Sequence, residues 1–326
     1  MVLILGAMGS RLIHSGPTLT RAWVPTRPLS VGVALDYLRC DEAGVSKFDL
    51  EVAGCLDSPP LDFVSPLRNR LARDGFSVLP FPYDWRQSLL VTAAKFATWV
   101  EEQSLETFDI VGISIGGLIA TQYVRMGFGA RIRKFISIGT PFLGMPRALA
   151  SLHTGAVLNR VADWFLGRKL RTLMRTFPSA YEVLPTAAYF DSVDQHYIEA
   201  GKRPLTSHTE TLSYLEAHGD LSSPLLREGT KFLLQLAPAE TLRAVDTSFI
   251  IGTGVPTPVR IQYRTSGRIR VSRQPLGDGS APASSQTIGG QLEHLDSGRF
   301  HEFRGRHRTM HLNPRIMTQI AEILLR

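Results

Sequence analysis

The stretch Phe108–Val124, FDIVGISIGGLIATQYV, constrains this chain more than any other. Ile110 and Val111 close a short apolar run that suits a buried strand. Gly112-Ile113-Ser114-Ile115-Gly116-Gly117 follows and satisfies Gly-x-Ser-x-Gly. Leu118, Ile119, Tyr123 and Val124 then fall at helical spacing. Strand, sharp turn and helix are the setting in which a serine is lifted above the end of a sheet as a nucleophile. In so tight a turn, side chains two residues before and after the serine would collide, and glycine holds both positions. The serine oxygen then sits at a helix N-terminus, whose amides favour developing negative charge. A glycine-rich turn that merely packs closely is the bland alternative, because short motifs recur by chance. The flanking strand and helix weigh against it.

Size and composition leave room for a large core around that turn. The chain has 326 residues, 44% of them hydrophobic and 20% charged. That is enough for two domains or for one α/β domain carrying an insertion. Lys and Arg total 36 against 29 acidic residues, a net charge of +7. A basic surface of this kind suits an anionic membrane or nucleic acid. No nucleic-acid module and no dense basic block with interleaved aromatics is present, so peripheral contact with an anionic lipid surface is the expected partner reading. The two cysteines, Cys40 and Cys55, are too few for a disulfide scaffold and read as reduced thiols of a cytoplasmic protein. No apolar run approaches the roughly 18 residues of a membrane-spanning helix. Met1–Leu5 lacks a basic leader and runs into a glycine turn, so it reads as a strand and not as a signal peptide.

Taken in order, that first strand leads into Gly6-Ala7-Met8-Gly9-Ser10. Enzymes with a serine elbow place one oxyanion-hole amide in such a turn, here Ala7, and take the other from the residue after the serine, Ile115. A phosphate-cradling loop is the rival, but there is no G-x-G-x-x-G and no P-loop lysine. Residues from about 13 to 60 mix Pro, Gly and polar residues, with a helix predicted near Val31–Leu38, and read as an excursion over the active-site face. A helix is predicted at Leu61–Asp74 and a strand at Phe76–Phe81. Asp84 and Arg86, flanking Trp85, suit a partly buried ion pair that pins a loop, a structural role; an arginine is no base. Leu89–Gln103 reads as a helix with Ala94, Phe96, Ala97 and Val100 on one face. Phe135–Ile138 is the next strand, and the strand–helix alternation implies a mostly parallel sheet. Residues from about 146 to 246 break it with helical stretches, Leu149–Arg171 among them, and no clear strand run. They read as a mainly helical cap between an N-terminal core part, 1–145, and a C-terminal core part, 247–326.

Strand signals return at Ser248–Ile251, and Arg260–Tyr263 with Arg268–Val271 suit a hairpin extending the sheet. Asp278, between Gly277 and Gly279, could be mere turn chemistry. It also follows a late strand and the serine, where the acidic member belongs in the order Ser…Asp…His. Four histidines, His294, His301, His307 and His311, precede a predicted C-terminal helix, Pro314–Leu325. By position both His307 and His311 qualify as the base. Four apart, they would also suit a metal on a helix, but no Glu follows His307 and Pro314 argues for loop. No metal or cofactor is expected.

With these pieces in view the chain resembles the lecithin–cholesterol acyltransferase family of α/β-hydrolases, which includes lysosomal phospholipase A2-like enzymes. The resemblance rests on Leu5–Leu12, Pro82-Tyr-Asp-Trp-Arg86, Gly112–Gly117, Ile136–Pro141, Gly252-Thr-Gly-Val-Pro-Thr-Pro258, Gly277-Asp-Gly279 and the His307 tail, and covers almost the whole chain. It implies an α/β-hydrolase fold, a mostly parallel sheet flanked by helices with a helical cap. It also implies a Ser114–Asp278–His307 triad. His307 is preferred because Met310 and the apolar helix end reproduce the family's spacing, with His311 the runner-up. With Met1–Leu5 read as the first strand, no leader and no membrane-binding segment before that strand are expected, unlike in the family's secreted members, and Ile113 stands where histidine often precedes the serine. Cys40 and Cys55 fall where some members form a lid disulfide. The implied activity is acyl hydrolysis or O-acyl transfer on a lipid or acyl ester through a serine-bound intermediate. A small-ester or thioester hydrolase acting on a soluble substrate is the alternative, and a non-catalytic binding protein of the same fold is a further one.

Overall fold

In the computed structural model, residues 1–15, 20–25, 31–58, 61–157, 160–193, 197–219, 221–292 and 296–326 are described. His294 lies outside them. Six strands form the central sheet: β1 (Val2–Ile4), β2 (Leu79–Pro80), β3 (Phe108–Ile113), β4 (Ile132–Ile138), β5 (Thr247–Thr253) and β6 (Phe300–Arg304). Their order is β2-β1-β3-β4-β5-β6, and every neighbouring pair is parallel. Strands in such a sheet are buried on both faces, which is why they read as continuous apolar runs. Alternation still sorts the side chains. Ile4, Ile110, Phe135 and Phe249 enter one apolar core, with helices α1 (Leu89–Glu102) and α2 (Ile115–Tyr123) over it. Leu3, Val111, Ile136 and Ile250 enter the other, closed by the helix Ser65–Ala72 and by α5 (Pro314–Leu325), which contributes Ile316, Ile320 and Leu324.

Several expected boundaries move. The helix expected over Leu61–Asp74 occupies Ser65–Ala72, because Asp62 accepts from the amides of Val64 and Ser65 and holds the preceding residues in a turn. The strand expected over Phe76–Phe81 is trimmed to β2. The stretch Leu149–Arg171 is two helices, α3 (Pro146–Thr154) and α4 (Arg160–Met174). Gly155 ends α3 in the left-handed region at φ +70°, and a Cβ there would lie 1.9 Å from the Gly167 carbonyl oxygen of α4. The excursion after β1 forms a three-stranded antiparallel sheet of Ser10–His14, Thr20–Trp23 and Leu50–Cys55, with a helix at Val31–Asp36.

The C-terminal hairpin corrects the reading that it extends the central sheet. Val255–Tyr263 and Ile269–Gly277 pair with each other, and Val255–Tyr263 then pairs with Ile198–Ala200. Ile198–Ala200 and Arg203–Pro204 are short strands inside the 146–246 segment, where none was expected. Pairing across the segment boundary supplies the stability that such short strands lack alone. The hairpin therefore ties that segment to the end of β5.

Candidate active site

The turn from β3 into α2 holds Ser114 at φ 56° and ψ −126°, a conformation rarely tolerated by a residue with a side chain. The cost is met by packing. The Ser114 amide donates to the Ile138 carbonyl of β4 at 2.9 Å, and Gly117 donates to the Ser114 carbonyl at 3.0 Å. A Cβ on Gly112 would lie 2.7 Å from the Gly117 Cα, and one on Gly116 would lie 2.2 Å from the Ile4 carbonyl oxygen of β1. Both glycines are thus obligatory, one against its own turn and the other against β1.

Asp278 follows the second hairpin strand and is buried. Its Oδ1 accepts from the amides of Ser280 and Ala281, both at 2.8 Å. Its Oδ2 lies 2.6 Å from His307 Nδ1, and the His307 amide donates to the Asp278 carbonyl at 2.9 Å. His307 Nε2 lies 2.8 Å from Ser114 Oγ. With Nδ1 facing a carboxylate, the neutral imidazole keeps its proton there and offers Nε2 as acceptor to the serine hydroxyl. The structure thus brings Ser114, His307 and Asp278 into one hydrogen-bonded line.

His311 lies apart from that line. It is buried with its ring centroid 6.0 Å from that of Phe63, and burial pushes its pKa down to about 4. The stretch His307–Leu312 is a short 3-10 helix and not open loop. Both His307 ring nitrogens face Ser114 and Asp278, which disposes of the two-histidine metal face. Among the described residues no cluster of His, Cys, Asp or Glu is placed to hold a metal ion.

Gly6, Ala7 and Met8 line the same cavity as Ser114 and Ile115. A Cβ on Gly6 would come within 2.9 Å of the Ser114 Cβ, so this loop presses against the serine. The Pro82–Arg86 motif braces it. Tyr83 donates its hydroxyl to the Leu5 carbonyl at 2.6 Å, and Trp85 Nε1 donates to the Ser10 carbonyl at 3.3 Å. Arg86 is fully buried; its Nε and Nη2 reach Asp84 Oδ1 and Oδ2 at 2.9 and 2.6 Å. Its remaining donors reach the Leu38 carbonyl at 2.7 Å and Ser46 Oγ at 3.0 Å, fastening the excursion to the core. Cys40 and Cys55 are free and buried, so they form no lid disulfide; burial pushes their thiols up to about 11 and about 12.

Other supporting residues escaped the sequence reading. Thr257 Oγ1 accepts from the Gly279 amide at 2.8 Å. Gln286 donates to the carbonyls of Gly252 and Ala281 and accepts from the Gly252 amide, closing the loop that carries Asp278 onto β5. Thr257 lies inside the quoted Gly-Thr-Gly-Val-Pro-Thr-Pro piece and was within reach; Gln286 carries no local signal. The cavity above Ser114 measures about 640 Å³. Its walls include Leu35, Phe177 and Val183, and from α3 and α4 Ala148, Ala162 and Leu166. Apart from histidines, its charged lining among the described residues is Arg147 and Arg308, with no carboxylate. Arg147 donates to the Gly279 carbonyl at 3.2 Å, and its pKa is lowered chiefly by burial, then by the neighbouring cations Arg308 and Arg273.

The model of the lecithin:cholesterol acyltransferase family matches residues 68–211, from the helix before β2 through the serine turn and into the segment that follows β4. No functionally curated protein matches the chain. Among solved structures, the chain is similar to the Tle4–Tli4 complex structure at 12% identity, over 99% of this chain and 97% of that one, with a TM-score of 0.63. It is also similar to the mature form of the Bacillus licheniformis lipase BlEst2 (11% identity, 99% and 90% covered, TM-score 0.44). A further match is an extracellular α/β-hydrolase from a Paenibacillus species (13% identity, 99% and 96% covered, TM-score 0.39). The fold is that of the α/β-hydrolases, a parallel sheet flanked by helices with the serine turn leading from β3 into α2. The family match on this fold supports an enzyme of acyl esters, a hydrolase or an acyltransferase.

Proposed function

We propose that this chain is a serine-dependent lipid acyl hydrolase or O-acyltransferase working through an acyl-enzyme on Ser114. The observation that carries the reading is the pair of contacts made by His307, 2.8 Å to Ser114 Oγ and 2.6 Å to Asp278 Oδ2, at the edge of an apolar cavity. In this reading Ser114 Oγ attacks the ester carbonyl carbon while its proton passes to His307 Nε2. Asp278 holds the ring and stabilises the imidazolium. The carbonyl oxygen takes the negative charge and is held by the amides of Ala7 and Ile115; one such donor contributes on the order of 2.7–4 kcal/mol. Collapse expels the alcohol, which takes the proton from His307 and leaves the acyl group on Ser114. Water or an acceptor alcohol then gives its proton to His307, attacks the acyl carbon and frees the serine. Which of the two attacks depends on how far residues 146–246, read as a cap, exclude water.

An apolar cavity suits an acyl chain. Arg147 and Arg308 bring two cations to the cavity wall, with Asp163 close to both, and they would offer an anionic head beside the ester charge-assisted hydrogen bonds. The test is to incubate the protein with phospholipid vesicles carrying a medium-chain alcohol and to identify products by mass spectrometry. Free fatty acid alone means hydrolysis, and acylated alcohol means transfer. Ser114→Ala is expected to abolish both, together with fluorophosphonate labelling; a folded Ser114→Ala that retains turnover overturns the reading. Turnover confined to short soluble esters returns the soluble-ester or thioester alternative, and a wild-type protein that fluorophosphonate does not label returns the binding protein.

A further inference from the structure

Helix α4 is apolar on two sides. Ala162 and Leu166 line the cavity that holds Ser114. On the opposite side Val161, Trp164 and Phe165 stand 69%, 79% and 71% exposed. Spaced i, i+3 and i+4, they share one face and form a single ridge. The Trp164 and Phe165 rings meet edge to face, with centroids 4.5 Å apart. A surface hollow beside the ridge is lined by Asp36, Arg39, Trp164, Phe165, Arg168 and Lys169. Among the described residues lining it, Asp36 is the single carboxylate beside three cations; it lies 2.6 Å from Lys169 Nζ and 3.8 Å from Arg39 Nη2.

We propose that this outer face of α4 docks on an anionic phospholipid bilayer, Trp164 and Phe165 entering the headgroup–acyl boundary while Arg39, Arg168 and Lys169 meet the phosphates. Two features select a bilayer over a protein. A tryptophan–phenylalanine tip ringed by long cations is the composition that settles at a membrane interface, where the apolar tips enter the lipid and the charged heads remain in water. A second copy seated symmetrically on the same face would set its cations against these, which opposes pairing. The whole chain carries +7, so the field beyond the patch also draws it to an anionic surface. Because the other face of α4 walls the cavity, docking would set that cavity beside the lipid. This last consequence rests on the lipid-ester reading; the docking itself does not.

Binding is measured by co-sedimentation and tryptophan emission on the Ser114→Ala protein, so that no lipid is consumed and a failed catalytic reading leaves the assay intact. The probes are vesicles of equimolar phosphatidylcholine and phosphatidylglycerol, and vesicles of phosphatidylcholine alone. The protein is expected to bind the mixed vesicles with a blue shift in emission, and to release as salt rises. Trp164→Ser with Phe165→Ser should weaken binding at least about tenfold with the melting temperature unchanged, since both side chains are already in water in the free protein. Arg168→Gln should weaken binding to mixed vesicles about fivefold and binding to neutral ones little, as expected for about 1 kcal/mol per cation near an anionic surface. No binding to mixed vesicles, or equal binding by the Trp164/Phe165 double variant, overturns the proposal. So does a dimer in lipid-free solution that the same double substitution dissolves, since the face would then belong to a second copy.

Discussion

Replacing Arg86 by Met tests whether the Pro82–Arg86 motif supports the site or takes part in the chemistry. The substitution keeps most of the side-chain volume and removes the guanidinium. It leaves Asp84, whose side chain is 13% exposed, as a nearly buried charge without its partner, and it strips donors from the Leu38 carbonyl and Ser46 Oγ. Breaking a buried pair from one side costs about 3–5 kcal/mol, because the remaining charge stays desolvated. For a chain of 326 residues, about 2.1 cal/mol/K per residue gives an unfolding entropy of about 0.7 kcal/mol/K. The expected drop in melting temperature is therefore about 4–7 °C, read by circular dichroism. The double variant Asp84→Asn with Arg86→Met should recover at least about 1 kcal/mol of the loss, because it removes the stranded charge. Hydrogen exchange should accelerate within residues 31–48, the segment that Arg86 fastens. A melting temperature within about 1 °C of wild type would refute the buried-pair argument. An unchanged melting temperature with kcat lost by orders of magnitude would instead place Arg86 in the chemistry.

Other perturbations separate the remaining roles. Asp278→Asn should lower kcat by about 10⁴ with little change in KM, because the amide no longer fixes the His307 tautomer; a loss under tenfold would remove Asp278 from the mechanism. His307→Ala should abolish turnover, whereas His311→Gln should keep the pH dependence of kcat/KM, since His311, with its pKa near 4, is already neutral across the working range. A pH limb that moves in His311→Gln would reverse that assignment. Glu182 is buried at the start of α1, accepting from Ser88 Oγ at 2.6 Å and from the Leu89 amide at 2.7 Å. Burial raises its carboxyl pKa from 4.5 to about 7, and the two donors only partly oppose the rise. The folded state then holds a proton that the unfolded chain releases above 4.5. The stabilisation is fully present below pH 4.5 and is lost as pH rises to about 7, an effect of about 3 kcal/mol. Melting curves across that window should show this fall in wild type and its absence in Glu182→Gln.

The central sheet was legible in its middle, where β1, β3, β4 and β5 are largely buried on both faces, and not at its edges, where β2 and β6 are half-buried or exposed. Each of these four carries a short apolar run, Val2–Ile4, Ile110–Val111, Phe135–Ile138 and Phe249–Ile251, and a glycine turn follows each run. α5 was legible to the residue, since Pro314 starts it after the cap Asn313, whose Oδ1 accepts from the Arg315 amide. The hairpin shows where such reading stops. Its alternation marks two strands, yet nothing in Val255–Tyr263 says that its partner is Ile198–Ala200, some sixty residues back. Three residues of strand carry too little periodicity to be seen at all.

The same division between local and distant causes runs through the serine turn. From the sequence alone, Gly112 and Gly116 share a single reason, mutual collision across the turn. For Gly112 that reason stands, since its missing side chain makes room for Gly117. For Gly116 the obstacle is the Ile4 carbonyl of β1, and its adjacent Gly117 is held open by Thr140, whose Oγ1 would lie 2.0 Å from a Cβ there. Those neighbours come from the start of the chain and from the loop after β4. The pose of Ser114 is therefore a product of how β1, β3 and β4 stack as much as of its own turn. Asp278 and His307 follow the same rule. Their order after the serine is written in the chain, but the 2.6 Å between them depends on Gln286 and Thr257 holding the Asp278 loop against β5 and the hairpin. Residue types that do the chemistry recur in a recognisable order. The residues that aim them are ordinary polar side chains, whose meaning appears only once the distant strands have met.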